Sequence, residues 1–91
     1  MSIGNLSALK IIGNALTNSA PEYGSFVGGG DGNAVTSDNS SIVGGYNNTV
    51  NAQSENSIIG GGQQNVLNGK YSVIAGGKLN FISLSGGVIG G

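Results

Sequence analysis

The sequence predicts an all-β solenoid of about five to six coils, 15–16 residues each, with parallel strands stacked along one axis. Three observations predict it. A short core of the form Ser-aliphatic-aliphatic-Gly recurs at near-constant spacing. An asparagine follows each complete core, and an apolar residue usually follows that asparagine one or two positions later. Nineteen glycines in 91 residues, many of them beside these cores, argue against helix, where each would cost about 1 kcal/mol relative to alanine.

The cores run in order along the chain. Lys10-Ile11-Ile12-Gly13 is followed by Ser25-Phe26-Val27-Gly28, Ser41-Ile42-Val43-Gly44, Ser57-Ile58-Ile59-Gly60, Ser72-Val73-Ile74-Ala75 and Gly87-Val88-Ile89-Gly90, in steps of 15, 16, 16, 15 and 15 residues. The asparagines are Asn18, Asn33, Asn48, Asn65 and Asn80. After them come Val35, Val50, Val66 with Leu67, and Phe81 with Ile82, while the first repeat offers only Ala20. Short Ile/Val-rich cores bounded by Gly and Asn clusters read as strands and turns. A period near 15 then makes one coil of two short strands and two turns. Gly28–Gly30 and Gly60–Gly62 supply the positive φ and close backbone stacking of one corner. Variable stretches such as 51–56 and 68–70 form the other corner and absorb the one-residue variation in period. Ser25, Ser41, Ser57 and Ser72 are expected to stack as one polar ladder and the asparagines as another. Without this periodicity, so much Gly, Ser and Asn would read as a linker or a disordered segment. Residues 1–8 form a lead-in and 9–91 the repeat domain, and the ending "GGVIGG" reads as a pattern cut in progress, a fragment of a longer chain.

The paired aliphatics carry the functional argument. Successive side chains of a strand point to opposite faces. Within Ile11/Ile12, Phe26/Val27, Ile42/Val43, Ile58/Ile59, Val73/Ile74 and Val88/Ile89, one member fills the coil and the other joins an apolar stripe outside it. Full burial of five or six such residues is worth very roughly 10 kcal/mol per chain. A stripe of this kind marks an interface, and a thin-cored small domain gains stability by using it, so a homo-oligomer is expected.

Other chemistries find little footing. Net charge is -1 with three lysines and no arginine, which gives no basic stripe for nucleic acid. There is no cysteine for a disulfide or thiolate site and no histidine for general-base or metal work. No apolar run reaches the roughly 18 residues of a membrane helix, and the N-terminus lacks the pattern of a secretory signal. "GGGDGN", 28–33, is similar to calcium-binding corner loops, but Asp31 has no counterpart in the following repeats and calcium takes about six or more oxygens. "NGKYS", 68–72, lacks the helix-opening context of a phosphate loop and reads as a turn. Glu22, Asp31, Asp38 and Glu55 are scattered over corners, so no carboxylate pair is expected. The sequons at Asn5, Asn39 and Asn47 arise readily in an Asn- and Ser-rich chain. Tyr23, Tyr46 and Tyr71 read as corner packing before they read as sugar-stacking platforms. No enzyme, cofactor or metal is expected.

The arrays "NSSIVGGYNN", "NSIIGGGQQN" and "YSVIAGGKLN" resemble the head-domain repeats of trimeric autotransporter adhesins and segments of related trimeric fibres of phages, large viruses and bacterial surfaces. The resemblance covers about residues 9–91. It implies a left-handed parallel β-roll assembled as a homotrimer, in an extracellular, cell-surface or virion fibre, with a host-surface receptor or glycan as its target. The expected function is a structural and attachment head module. The alternative is a monomeric β-solenoid that binds ice or a polysaccharide surface, although Thr17, Thr36 and Thr49 form no clean row and Thr-x-Thr is absent.

Overall fold

The computed structural model describes residues 17–91, so the expectations for residues 1–8 and for Lys10, Ile11, Ile12 and Gly13 lie outside the described residues. Among the described residues nine strands of two residues each follow one another: β1 (Phe26–Val27), β2 (Ala34–Val35), β3 (Ser41–Ile42), β4 (Thr49–Val50), β5 (Ile58–Ile59), β6 (Val66–Leu67), β7 (Val73–Ile74), β8 (Phe81–Ile82) and β9 (Val88–Ile89). Strands this short are unstable alone. They persist because odd strands stack in parallel as β1-β3-β5-β7-β9 and even strands as β2-β4-β6-β8. The result is a solenoid of about four turns, two strands to a turn. A third row of backbone pairing, absent from the two-strand expectation, links Asp31, Tyr46, Gln63 and Lys78 along the glycine corner.

Between the two sheets lies a core one residue thick from each side. Val27, Ile42, Ile59 and Ile74 come from the odd strands and Val35, Val50 and Leu67 from the even ones, all fully buried. Ala20 and Ile82 close the column and Ile89 packs against it. Ala20, the apolar residue after Asn18, thus occupies the core position equivalent to Val35.

The strand register corrects the repeat spacing. Phe26 pairs with Ser41, Ser41 with Ile58, Ile58 with Val73 and Val73 with Val88, which makes successive steps of 15, 17, 15 and 15 residues. The sequence alignment on Ser41 predicts 16 and 16 for the first two. The serine equivalent to Ser57 and Ser72 is Ser40, not Ser41. The cause is the asparagine column, in which the Asn33 to Asn48 step of 15 forces the same step on the adjoining strand. The two extra residues of the second coil are taken up in the corner between Asn51 and Ser54, where Gln53 adopts a left-handed φ of 64°. A slip of one residue exchanges the two faces of a strand. In the second coil, therefore, the first aliphatic, Ile42, points inward and the second, Val43, outward.

Two side-chain ladders hold the coils at their spacing. Asn33, Asn48 and Asn65 each bridge three coils. Asn48 Nδ2 lies within hydrogen-bond distance of Asn33 Oδ1 (3.1 Å), the Gly44 carbonyl of its own coil (3.1 Å) and the Gly62 carbonyl of the next (2.9 Å), and its two N–H groups are shared among them. Asn48 Oδ1 accepts from the Asn65 backbone N–H and Nδ2, each at 3.0 Å. Asn33 and Asn65 repeat the pattern. The serine ladder runs beside it. The hydroxyls of Ser40, Ser57 and Ser72 accept from the backbone N–H of Ser57, Ser72 and Gly87, and donate to the carbonyls of Ser54, Gly69 and Leu84. Among the described residues no buried side-chain nitrogen or oxygen lacks a partner. That satisfies the rule for buried polar groups in an interior where buried asparagines and serines slightly outnumber buried aliphatics.

Glycine is required in one column. Gly30, Gly45, Gly62 and Gly77 have φ of 80–103°, and a Cβ on Gly30, Gly45 or Gly62 would overlap the carbonyl oxygen of the column's next glycine. That close approach is what lets each asparagine reach the carbonyl above it.

Candidate interaction surface

The outer face of the five-stranded sheet is built from two neighbouring columns. The first holds Phe26, Ser41, Ile58, Val73 and Val88; the second, two residues on, holds Gly28, Val43, Gly60, Ala75 and Gly90. The columns complement each other. Where the first carries Phe26, Ile58 or Val88, the second carries glycine, and the Phe26 ring lies over Gly28. Where the first drops to Ser41, the second rises to Val43. Each coil thus places its aliphatic or aromatic bulk once on this face, and no charged side chain stands in either column.

The expected outward stripe exists in this altered form. Phe26, Ile58, Val73 and Val88 are its first-column members, Val43 joins from the second column, and Ser41 interrupts the first. Val27, Ile42, Ile59 and Ile74 are the inward members of their pairs. The stripe is shallower than full exposure supposes: Phe26 and Val73 are half-buried, Ile58 is 36% exposed and Val43 51%, and only Val88 reaches 75%. Neighbouring coils cover the rest.

The four-stranded sheet has a different outer face. Ala34, Thr49, Val66 and Phe81 form one column, with Phe81 57% exposed, and Thr36, Asn51, Asn68 and Ser83 the next. Thr36 and Thr49 fall in different columns, and Thr36 Oγ1 donates to the Val50 carbonyl at 2.9 Å. Thr17 sits at the glycine corner, where its hydroxyl bonds Asp31 and accepts from the Gly32 N–H at 3.1 Å. No threonine grid results.

The remaining polar candidates stay apart. Asp31 lies at the glycine corner, while Asp38 and Glu55 lie in a column at the opposite one. Lys70, the next member of that column, meets Glu55 at 3.5 Å across an exposed surface. Tyr46 stands at the glycine corner, and Tyr23 and Tyr71 at the other, three coils apart, so the tyrosines share no platform. Among the described residues there is no concave pocket, no group of three or more potential metal ligands, and no helix long and apolar enough to cross a membrane.

Sequence reasoning missed Ser41 as a face residue. The signal was present as a constant interval of eight residues between ladder serine and ladder asparagine: Ser25 to Asn33, Ser57 to Asn65 and Ser72 to Asn80. Ser40 to Asn48 keeps that interval, and Ser41 does not. Comparison with protein-family models, with curated proteins and with solved structures found no match.

Proposed function

We propose that this chain is a structural and attachment module, the left-handed β-roll head of a homotrimeric surface or virion fibre. The observation that carries the reading is the uncharged, one-bulk-per-coil outer face of the five-stranded sheet. Its occupant is a second and third copy of the same chain. A copy brings the same sequence of bulks and glycines at the same coil spacing, so like layers meet along the whole face. Complete burial of its five large residues would be worth about 1.5–3 kcal/mol each. Since each is already partly covered, assembly recovers roughly half, on the order of 4–7 kcal/mol per chain. For a domain whose core is one aliphatic deep from each sheet, that is a decisive share of the usual 5–15 kcal/mol of folding stability.

The ladders make the coil a scaffold, and the corners carry the variation. Asp31, Tyr46, Gln63 and Lys78 on one corner, and Asp38, Glu55, Lys70 and Tyr71 on the other, are displayed at regular height. Threefold repetition of such corners lets weak contacts to a receptor or glycan add through avidity. Light scattering after size exclusion tests the reading directly. A native mass three times that of the chain is the expected result. A folded monomer would overturn it and favour the second reading, surface binding by the mixed Thr/Asn outer face of the four-stranded sheet, which a thermal-hysteresis or polysaccharide pull-down assay would then examine.

A further inference from the structure

We propose that Ser41 sets the axial register of the assembly, an inference that rests on the homotrimer reading above. A solenoid of near-identical coils faces a specific hazard. Sliding one chain by one coil, about 4.8 Å, still sets aliphatic layers against aliphatic layers. Something must make one alignment better than its neighbours.

Ser41 is the one polar side chain in the two columns of the apolar face among the described residues. It is half-buried, and its hydroxyl makes no hydrogen bond among the described residues. The other half-buried or buried serines behave differently: Ser25, Ser37, Ser40, Ser54, Ser57 and Ser72 all donate to backbone carbonyls. Ser41 therefore stands on the face with an unused donor and acceptor. In an aligned trimer the three hydroxyls lie at one level, and each donates to the next, so a closed ring satisfies all three. Slipped by one coil, each hydroxyl meets Phe26 or Ile58 of its neighbour and loses water without gaining a partner. Val43 adds a steric component. In register it meets its own copies, whereas after a slip it lies level with the Gly28 or Gly60 row and the layers no longer fill. A lone polar residue fixes register in the same way in the seam of a coiled coil.

The chain has no cysteine, so pairs of introduced thiols report register cleanly. Ile58 and Val73 stand one coil apart in the first column. A disulfide spans Cα separations up to about 7 Å, short enough to resolve one coil of slip between facing chains. Ile58→Cys and Val73→Cys chains of different tag length are refolded together and oxidised, in three backgrounds: native Ser41, Ser41→Val and Ser41→Thr. Expected is predominant like-with-like linkage in the native and Ser41→Thr backgrounds, and a rise of about ten-fold or more in unlike linkage with Ser41→Val. Trimers with equally faithful register in Ser41→Val, or equally mixed register in all three, overturn the role of Ser41 and leave the trimer standing. A monomeric native mass removes both.

Discussion

Replacing Asn48 by alanine tests whether the asparagine column holds the coils together. The side chain is fully buried and central to its ladder. Its loss removes the two amide N–H groups shared among Asn33 Oδ1, Gly44 and Gly62, and the Oδ1 that accepts from Asn65. The consequences are unequal. The Gly62 carbonyl keeps the Tyr46 N–H at 3.0 Å, and Asn33 Oδ1 keeps the Asn48 N–H at 3.0 Å. Asn65 Nδ2 keeps Gly61 and Gly77. The Asn65 backbone N–H keeps no side-chain acceptor, and it lies inside a fully buried residue. One orphaned buried donor costs about 1–3 kcal/mol, and the void left by the amide adds to that. We expect Asn48→Ala to lower stability by about 3 kcal/mol. Asn80→Ala is the internal control. Asn80 is half-buried and its Nδ2 makes two bonds, to Asn65 Oδ1 and Gly76, so its loss should cost about 1 kcal/mol. The assay is urea unfolding by circular dichroism at fixed protein concentration, with midpoints compared at equal slope. Equal midpoints for the two variants, or a loss under about 0.5 kcal/mol for Asn48→Ala, would refute the ladder as the element that sets coil spacing.

Other substitutions probe the remaining assignments. Gly62→Ala places a Cβ on the Gly77 carbonyl at a φ of 93°, and should cost about 3 kcal/mol or more, whereas Gly44→Ala meets open space and should be neutral or stabilising by up to about 1 kcal/mol in the same unfolding assay. Leu79 is an exposed residue held at a φ of 60°, in a column that also holds Gly32 and Asn47, so Leu79→Gly should raise the unfolding midpoint by the equivalent of about 1 kcal/mol. Ile58→Asp and Ile59→Asp differ by one position and by face. The first should yield folded monomers on light scattering, and the second should abolish the cooperative unfolding transition, because it buries an unpaired carboxylate in the core.

Much of the architecture is legible before folding. The recurrence of Asn18, Asn33, Asn48, Asn65 and Asn80 announces the ladder, since a buried amide in a stacked coil has its partner in its own copy one turn away. The glycine runs announce the close corner for the same reason. Less legible is the phase of the second coil. "NSSIV" offers two serines, and both alignments read as sensible strands when each repeat is judged by its core alone. The third pairing row through Asp31, Tyr46, Gln63 and Lys78 has no pattern of its own, because it is backbone pairing between residues whose side chains face solvent and differ freely.

What the sequence by itself determined is the repeat: an all-β solenoid with polar ladders and one inward aliphatic from each pair, a consequence of periodic side-chain chemistry that each coil carries locally. Only the tertiary structure decided which member of the Ile42/Val43 pair faces out, and hence that Ser41 interrupts the apolar face. Register is a cooperative property. It is set by the bonds of Asn48 to the coils on either side, and by whether two extra residues can be housed in the corner near Gln53. The eight-residue interval from ladder serine to ladder asparagine shows the phase only when repeats are compared, because both conditions depend on the coil stacked next to it.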